Sequence, residues 1–111
     1  MLDFGCGNGV LLFKCALRGT ENHRGIDISK EAIKVAKEIQ KGSKTGNFAF
    51  TRGEVKSLET IPNSSYGAIV LSNIIDNLIP SDAIKVLVEI KRILKGESKI
   101  LIKLNHFLTE E

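Results

Sequence analysis

Three glycines at alternate positions, in the run Asp3-Phe4-Gly5-Cys6-Gly7-Asn8-Gly9, constrain this chain more than any other feature. Met1 to Phe4 ahead of the run reads as a strand, and Val10-Leu11-Leu12-Phe13 behind it reads as the start of a helix. Glycine is needed where backbone takes conformations in which a Cβ would clash, and a helix start turns unbonded N–H groups toward whatever lies before it. Such a unit brings bare main chain close to a ligand, although a tight strand-to-helix turn without a ligand would use the same residues. The spacing is not the dinucleotide fingerprint Gly-x-Gly-x-x-Gly, because the third glycine position is Val10 counted from Gly5 and Leu12 counted from Gly7.

Strand-like and helix-like periods then alternate along the chain. Val10 to Leu17 is apolar nearly all round, which suits a helix pinned between a sheet and its neighbours, and Gly19 stops it. His23 to Asp27 is a strand. Ser29 N-caps a second helix, with Ile28 and Ile33 at the spacing of a hydrophobic staple and a buried stripe of Ala32, Ile33, Ala36 and Ile39. Gly42 and Gly46 bracket a loop before a third strand, Asn47 to Thr51. Tyr66 to Ser72 is a fourth, and its run Ala68-Ile69-Val70-Leu71 is that of a strand covered on both faces. Pro80 and Ser81 open a third helix with Ile84, Leu87, Val88, Ile90 and Leu94 as its core face and Gly96 as its end. Lys99 to Leu104 is the fifth strand, with Lys99 and Lys103 on one side, as expected at or near a sheet edge. This alternation implies an α/β fold built on a parallel sheet.

Composition narrows the class. The chain has 111 residues, 42% hydrophobic and 26% charged, which fits one globular domain with its own core. The net charge of +3 is spread over many lysines without a basic block, so nucleic-acid binding is not signalled. Lys91, Arg92 and Lys95 cluster where a helix end favours cations. Cys6 and Cys15 have no second pair and no histidine at ligand spacing, so neither a metal site nor a disulfide framework is expected, and a reducing cytoplasm fits. No apolar run approaches the roughly 20 residues of a membrane span, and no signal peptide is evident.

Asp27 closes the second strand 20 residues after Gly7. A carboxylate there can accept both hydroxyls of a ribose, an arrangement that serves NAD and S-adenosylmethionine alike. An acid favoured by the dipole of the following helix is the alternative reading.

From Met1 to Leu104 the chain resembles the small-molecule branch of the class I S-adenosylmethionine-dependent methyltransferases. Asp3-Phe4-Gly5-Cys6-Gly7-Asn8-Gly9 is similar to the first motif of that family and Gly25-Ile26-Asp27-Ile28-Ser29 to the second. Arg52-Gly53-Glu54-Val55 resembles the third, Tyr66 to Asn73 the fourth, and Ile90 to Gly96 the helix end before the fifth strand. The resemblance implies a Rossmann-like sheet of about five strands in the order 3-2-1-4-5, with helices on both faces. It also implies a single cofactor-binding core over residues 1–111, short of the cover helices and last strands of the seven-stranded family fold. Where relatives have a Pro-Gly-Gly turn, this chain has Lys95-Gly96-Glu97-Ser98.

The same resemblance assigns roles. Backbone at Gly5 and Gly7 would run along the methionine part of S-adenosylmethionine, and Asp3 would help hold its amino group. Asp27, followed by Ile28, would bind the ribose. Glu54 would accept from the adenine amine, Val55 would offer backbone to the ring edge, and Ser72 and Asn73 would form the floor. No metal is implied.

Methyl transfer from a sulfonium is an in-line displacement with a good leaving group, so orientation can supply much of the acceleration and a strong base is optional. Asp76 is the candidate catalytic residue, as the one titratable group in Asn73-Ile74-Ile75-Asp76-Asn77; His106 faces either site or solvent, and His23 is expected at the far end of its strand. The expected activity is methyl transfer to a small-molecule acceptor, with S-adenosylhomocysteine as product. Two alternatives stand beside it. One is a non-catalytic cofactor-binding or structural module completed by a partner chain, including a homo-oligomer that covers the truncated edges. The other is an NAD-dependent oxidoreductase, which the glycine spacing and Glu54 after Gly53 disfavour.

Overall fold

A computed structural model describes residues 1–72 and 78–103, by backbone alone from residue 97, so Asn73, Asp76 and His106 lie outside the described residues. Along the chain the elements are β1 (Leu2–Phe4), α1 (Val10–Leu17), β2 (Asn22–Asp27), α2 (Lys30–Gly42), β3 (Asn47–Arg52), a 3₁₀ helix (Val55–Thr60), β4 (Tyr66–Ser72), α3 (Pro80–Ile93) and β5 (Leu94–Lys103). The five strands form one sheet in the order β3-β2-β1-β4-β5, and every pairing is parallel. Because the order reverses at β1, the connections from β1 and β4 diverge at the carboxyl edge and leave a crevice there.

β1 is only three residues long and fully buried, with Leu2 paired to Arg24 on one side and to Ile69 on the other. Its two apolar residues share one face and one core, and the residues flanking the strand, Met1 and Cys6, join a second. Leu2 and Phe4 join Ile26, Ile69, Leu71, Leu58 and Ile61 against Val86, Ile90 and Ile93 of α3. The opposite face packs Cys6, Leu12, Ile33, Ala36 and Phe50, with Phe13 and Phe48 partly buried against them. Phe13 tilts against Phe48 at 4.7 Å and Phe50 at 5.5 Å between ring centroids, fixing α1 over β3.

Each helix differs from its sequence pattern in what it buries. Only Leu12 and Ala16 of α1 are buried, while Val10 and Leu17 are exposed, so one stripe rather than the whole surface is covered. In α2 the Ser29 hydroxyl caps the Ala32 N–H at 3.1 Å, as expected, but Ile39 is exposed because the helix lies over the edge strand β3. Ile28, the outer residue of the expected staple, is also exposed, while Ile33 is buried.

The largest correction concerns α3. Its core stripe is Val86, Ile90 and Ile93, whereas Ile84, Leu87 and Val88 face outward. The helix carries two apolar stripes, and a tertiary contact chooses between them. From its last turn, Arg92 donates through Nη1 to the Ile61 carbonyl and Asn63 Oδ1, both at 2.7 Å, and through Nη2 to the Leu58 carbonyl at 2.9 Å. Nε adds a 2.8 Å bond to Glu89 Oε1. This fan staples α3 to the end of the 3₁₀ helix and rotates the 86/90/93 stripe onto the sheet. Gly96 does not end the helix. The Ser64 and Ser65 N–H groups take the Arg92 and Ile93 carbonyls at 3.0 and 2.7 Å, and Leu94 already belongs to β5, paired with Tyr66.

Arg92→Ala should therefore lower the free energy of unfolding by about 2–3 kcal/mol, since charge-assisted bonds to otherwise sheltered carbonyls are lost together. Arg92→Lys should recover less than half of that, because a point charge cannot reproduce the planar fork. Urea unfolding of the three proteins measures both effects.

Candidate functional site

The glycine loop is held open by backbone conformation. Gly5, Gly7 and Gly9 have φ of 91°, 57° and 85°, all in the region that side chains disfavour. The Gly5 and Cys6 N–H groups both donate to the Ile26 carbonyl, at 2.7 and 3.1 Å, which ties the loop to the end of β2. Beneath it, Gly25 permits the close approach of loop and sheet: a Cβ there would lie 2.7 Å from both Cys6 Sγ and Phe50 Cδ1. Cys6 itself is a packing group. Burial, with the nearby Asp3 and Asp27 carboxylates, pushes its thiol up to about 12, far from the range of a nucleophile.

Asp27 is the hub. Its Oδ1 accepts the Gly7 N–H and its Oδ2 accepts the Ser29 N–H, both at 3.0 Å. One carboxylate thus joins the glycine loop to the start of α2, and each oxygen retains a lone pair for a ligand. The Gly53 N–H donates to the Asp27 carbonyl at 2.9 Å, and Arg52 Nε donates to the Ile28 carbonyl at 3.1 Å. On the β3 side a capping box starts the 3₁₀ helix: the Glu54 N–H donates to Ser57 Oγ at 3.1 Å, and the Glu54 side chain, though exposed, accepts from the Ser57 N–H.

These elements enclose a cleft of about 860 Å³ at the carboxyl edge of the sheet, a size usual for cofactor sites. Of the residues expected from the sequence, it brings together Gly5, Asp27, Ile28, Glu54, Val55 and Ser72. Gly7 joins them through its bond to Asp27. Asp3 lies one layer below, 1% exposed, with its Oδ1 accepting from Ser72 Oγ at 3.0 Å. Sequence reasoning missed Lys56 and Glu59 of the 3₁₀ helix and Leu78, Asp82 and Lys85 at the start of α3, which also line the cleft. The signal was topological: these segments follow the carboxyl ends of β3 and β4, where ligands of open parallel sheets bind. Among the described residues, no group of three or more His, Cys, Asp or Glu is placed to hold a metal ion, and no helix is long and apolar enough to cross a membrane.

A parallel sheet reversing at β1, a glycine loop after it and a carboxylate ending β2 define an α/β domain of the nucleoside-cofactor type. Residues 1–109 match a methyltransferase-domain family, and the chain belongs to that family. It is 33% identical over 79 residues to a ribosomal protein L11 methyltransferase of Acetivibrio thermocellus, a match covering 71% of this chain and 24% of that protein. The PH0226 protein of Pyrococcus horikoshii superposes with a TM-score of 0.81 at 28% identity, over 91% of this chain and 46% of its own. A SAM-dependent methyltransferase of Methanosarcina mazei gives 0.81 at 26% identity, over 91% and 50%. The chain thus spans about a quarter of the curated relative and about half of these solved structures.

His23 sits at the amino end of β2, on the edge of the sheet opposite the cleft, as its position in the strand implies. It is buried, stacked on Phe48 at 4.7 Å, with Nδ1 3.1 Å from the Asn47 carbonyl and Nε2 2.6 Å from Thr20 Oγ1. A carbonyl only accepts, so Nδ1 carries the proton and Nε2 receives the Thr20 hydroxyl. Burial lowers its pKa from the ordinary 6.5; the Asn47 carbonyl partly opposes this and the N-terminal ammonium adds to it. Because the folded pKa lies below the unfolded one, the contribution of His23 is complete above pH 6.5 and is lost as the pH falls below it. Unfolding free energy should decline through that window, and His23→Gln should flatten the decline; denaturant melts across the pH range test this.

Proposed function

We propose that this chain is the cofactor-binding core of an S-adenosylmethionine-dependent methyltransferase that methylates a small-molecule acceptor. Asp27 carries the proposal: its carboxylate is already aimed and anchored at the cleft by two main-chain amides. In this reading Asp27 takes the ribose hydroxyls with Ile28 beside them, Glu54 accepts from the adenine amine, and the Val55 main chain meets the ring edge. Gly5 and Gly7 pass bare backbone under the amino-acid tail, Ser72 and Asn73 form the floor, and Asp3 acts on the tail's amino group through this layer. Bound there, the cofactor would supply an electrophilic methyl group on its sulfonium.

The residues present fit such a guest. The cleft is large enough, its loop has no side chain at Gly5 or Gly7, and Asp27 and Glu54 stand on the β2 and β3 side where an adenosyl group would lie. Acceleration would come chiefly from alignment of the acceptor with the methyl group, and Asp76 is the proposed residue to touch the acceptor. The curated relatives are named for a ribosomal-protein substrate, but the match covers too little of them to carry the acceptor across. The free Cys6 and Cys15 fit a cytoplasmic protein.

A second reading, a cofactor-binding module completed by a partner chain or by a second copy, is favoured by the exposed apolar stripe Ile84, Leu87 and Val88 of α3. Methyl release from labelled cofactor across an acceptor panel separates the two: tight cofactor binding without turnover would favour the module. Calorimetry should show heat with S-adenosylhomocysteine and none with NAD, and the reverse would overturn the assignment. Asp27→Ala should weaken S-adenosylhomocysteine binding by at least about 1.5 kcal/mol through loss of a charged acceptor.

A further inference from the structure

The strand-to-helix turn at the cleft contains one carbonyl that neither the sheet nor the helix provides for. Asp27 pairs with Arg52 as the last register of the β2–β3 ladder, and the first carbonyl used by α2 is that of Ser29, which accepts from Ile33. Between them stands the Ile28 carbonyl. The Arg52 side chain reaches back across the ladder end and donates to it from Nε at 3.1 Å.

The peptide that Arg52 grips is rigid and planar, with the Ile28 carbonyl at one end and the Ser29 N–H at the other. That N–H donates to Asp27 Oδ2 at 3.0 Å. A tether on the carbonyl therefore fixes the direction of the amide that aims the Asp27 carboxylate. It also holds Ile28, 58% exposed on the cleft wall, in place as an apolar surface for a flat ring.

We propose that Arg52 is a positioning residue of the cofactor site: it touches no cofactor atom but orients Asp27 and Ile28 through the Ile28–Ser29 peptide. This rests on the S-adenosylmethionine reading above. What matters is the donor at Nε, not the charge, and that distinction makes the proposal testable. Glutamine places an amide nitrogen the same number of bonds from Cα as Arg Nε. Methionine has the same reach and no donor.

The experiment is calorimetry of wild type, Arg52→Gln and Arg52→Met with S-adenosylhomocysteine, alongside unfolding midpoints and amide exchange at Ser29 without ligand. Expected are glutamine binding within about twofold of wild type and methionine binding about three- to tenfold weaker, with unchanged midpoints and faster Ser29 exchange in the methionine variant. A methionine variant binding as tightly as wild type, or a glutamine variant as weak as methionine, would overturn the inference while leaving the cofactor reading intact. Affinity that falls only in step with the unfolding midpoint would likewise reduce Arg52 to a structural residue. Wild type that binds no S-adenosylhomocysteine would remove the cofactor reading and this inference with it.

Discussion

The carboxylate of Asp27, shared between the amides of Gly7 and Ser29, is the contact on which the rest of the site depends. The glycine loop after β1 meets there the turn that runs from the end of β2 into the cap of α2, some 20 residues further along the chain. The Gly53 N–H on the Asp27 carbonyl adds a further segment from the end of β3. A single short acid can do this because parallel strands end in register, so their connecting turns crowd one edge of the sheet. The consequence is a preorganised cleft, in which orientation is established before a ligand arrives and need not be created by it.

The scaffold beneath is held by a different kind of contact. β1 is too short to contribute much by itself, yet it is the strand through which both cores communicate: Leu2 and Phe4 face α3 while Cys6, just past its end, joins the core under α1 and α2. On the α3 side the packing has a polar lock. Arg92 gathers the Leu58 and Ile61 carbonyls and so couples the 3₁₀ helix to α3, two segments that both line the cleft. Hydrophobic burial drives these layers together without direction, and the guanidinium supplies the direction that burial lacks.

Much of this was legible in the residues. Ser29 caps as its type and spacing imply, Ile69, Val70 and Leu71 of the apolar run in β4 are buried with Ala68 half-buried, and Asp27 closes β2 as read. These features follow from local chemistry: a hydroxyl can reach the amide three residues on, and a run with no polar position admits no solvent face. What escaped was phase and reach. α3 offers one apolar stripe through Val86, Ile90 and Ile93 and another through Ile84, Leu87 and Val88, and helical period is satisfied by either. Ile39 has the right spacing for burial in α2 but lies above β3, the edge strand of the sheet among the described residues. In the cleft, Lys56, Glu59, Asp82 and Lys85 carry no motif, and only the meeting of the 3₁₀ helix with α3 brings them to one wall.

By itself the sequence determined the alternation of strands and helices, the bare glycine turn and the acid ending the second strand, because each is written in side-chain type and in spacings of a few residues. Tertiary structure alone decided which stripe of α3 is buried, that β5 starts at Leu94 rather than after Gly96, and that Arg52 reaches the Ile28 carbonyl. Those outcomes depend on contacts between residues tens of positions apart, whose energies exist only once the sheet has set their distance and direction.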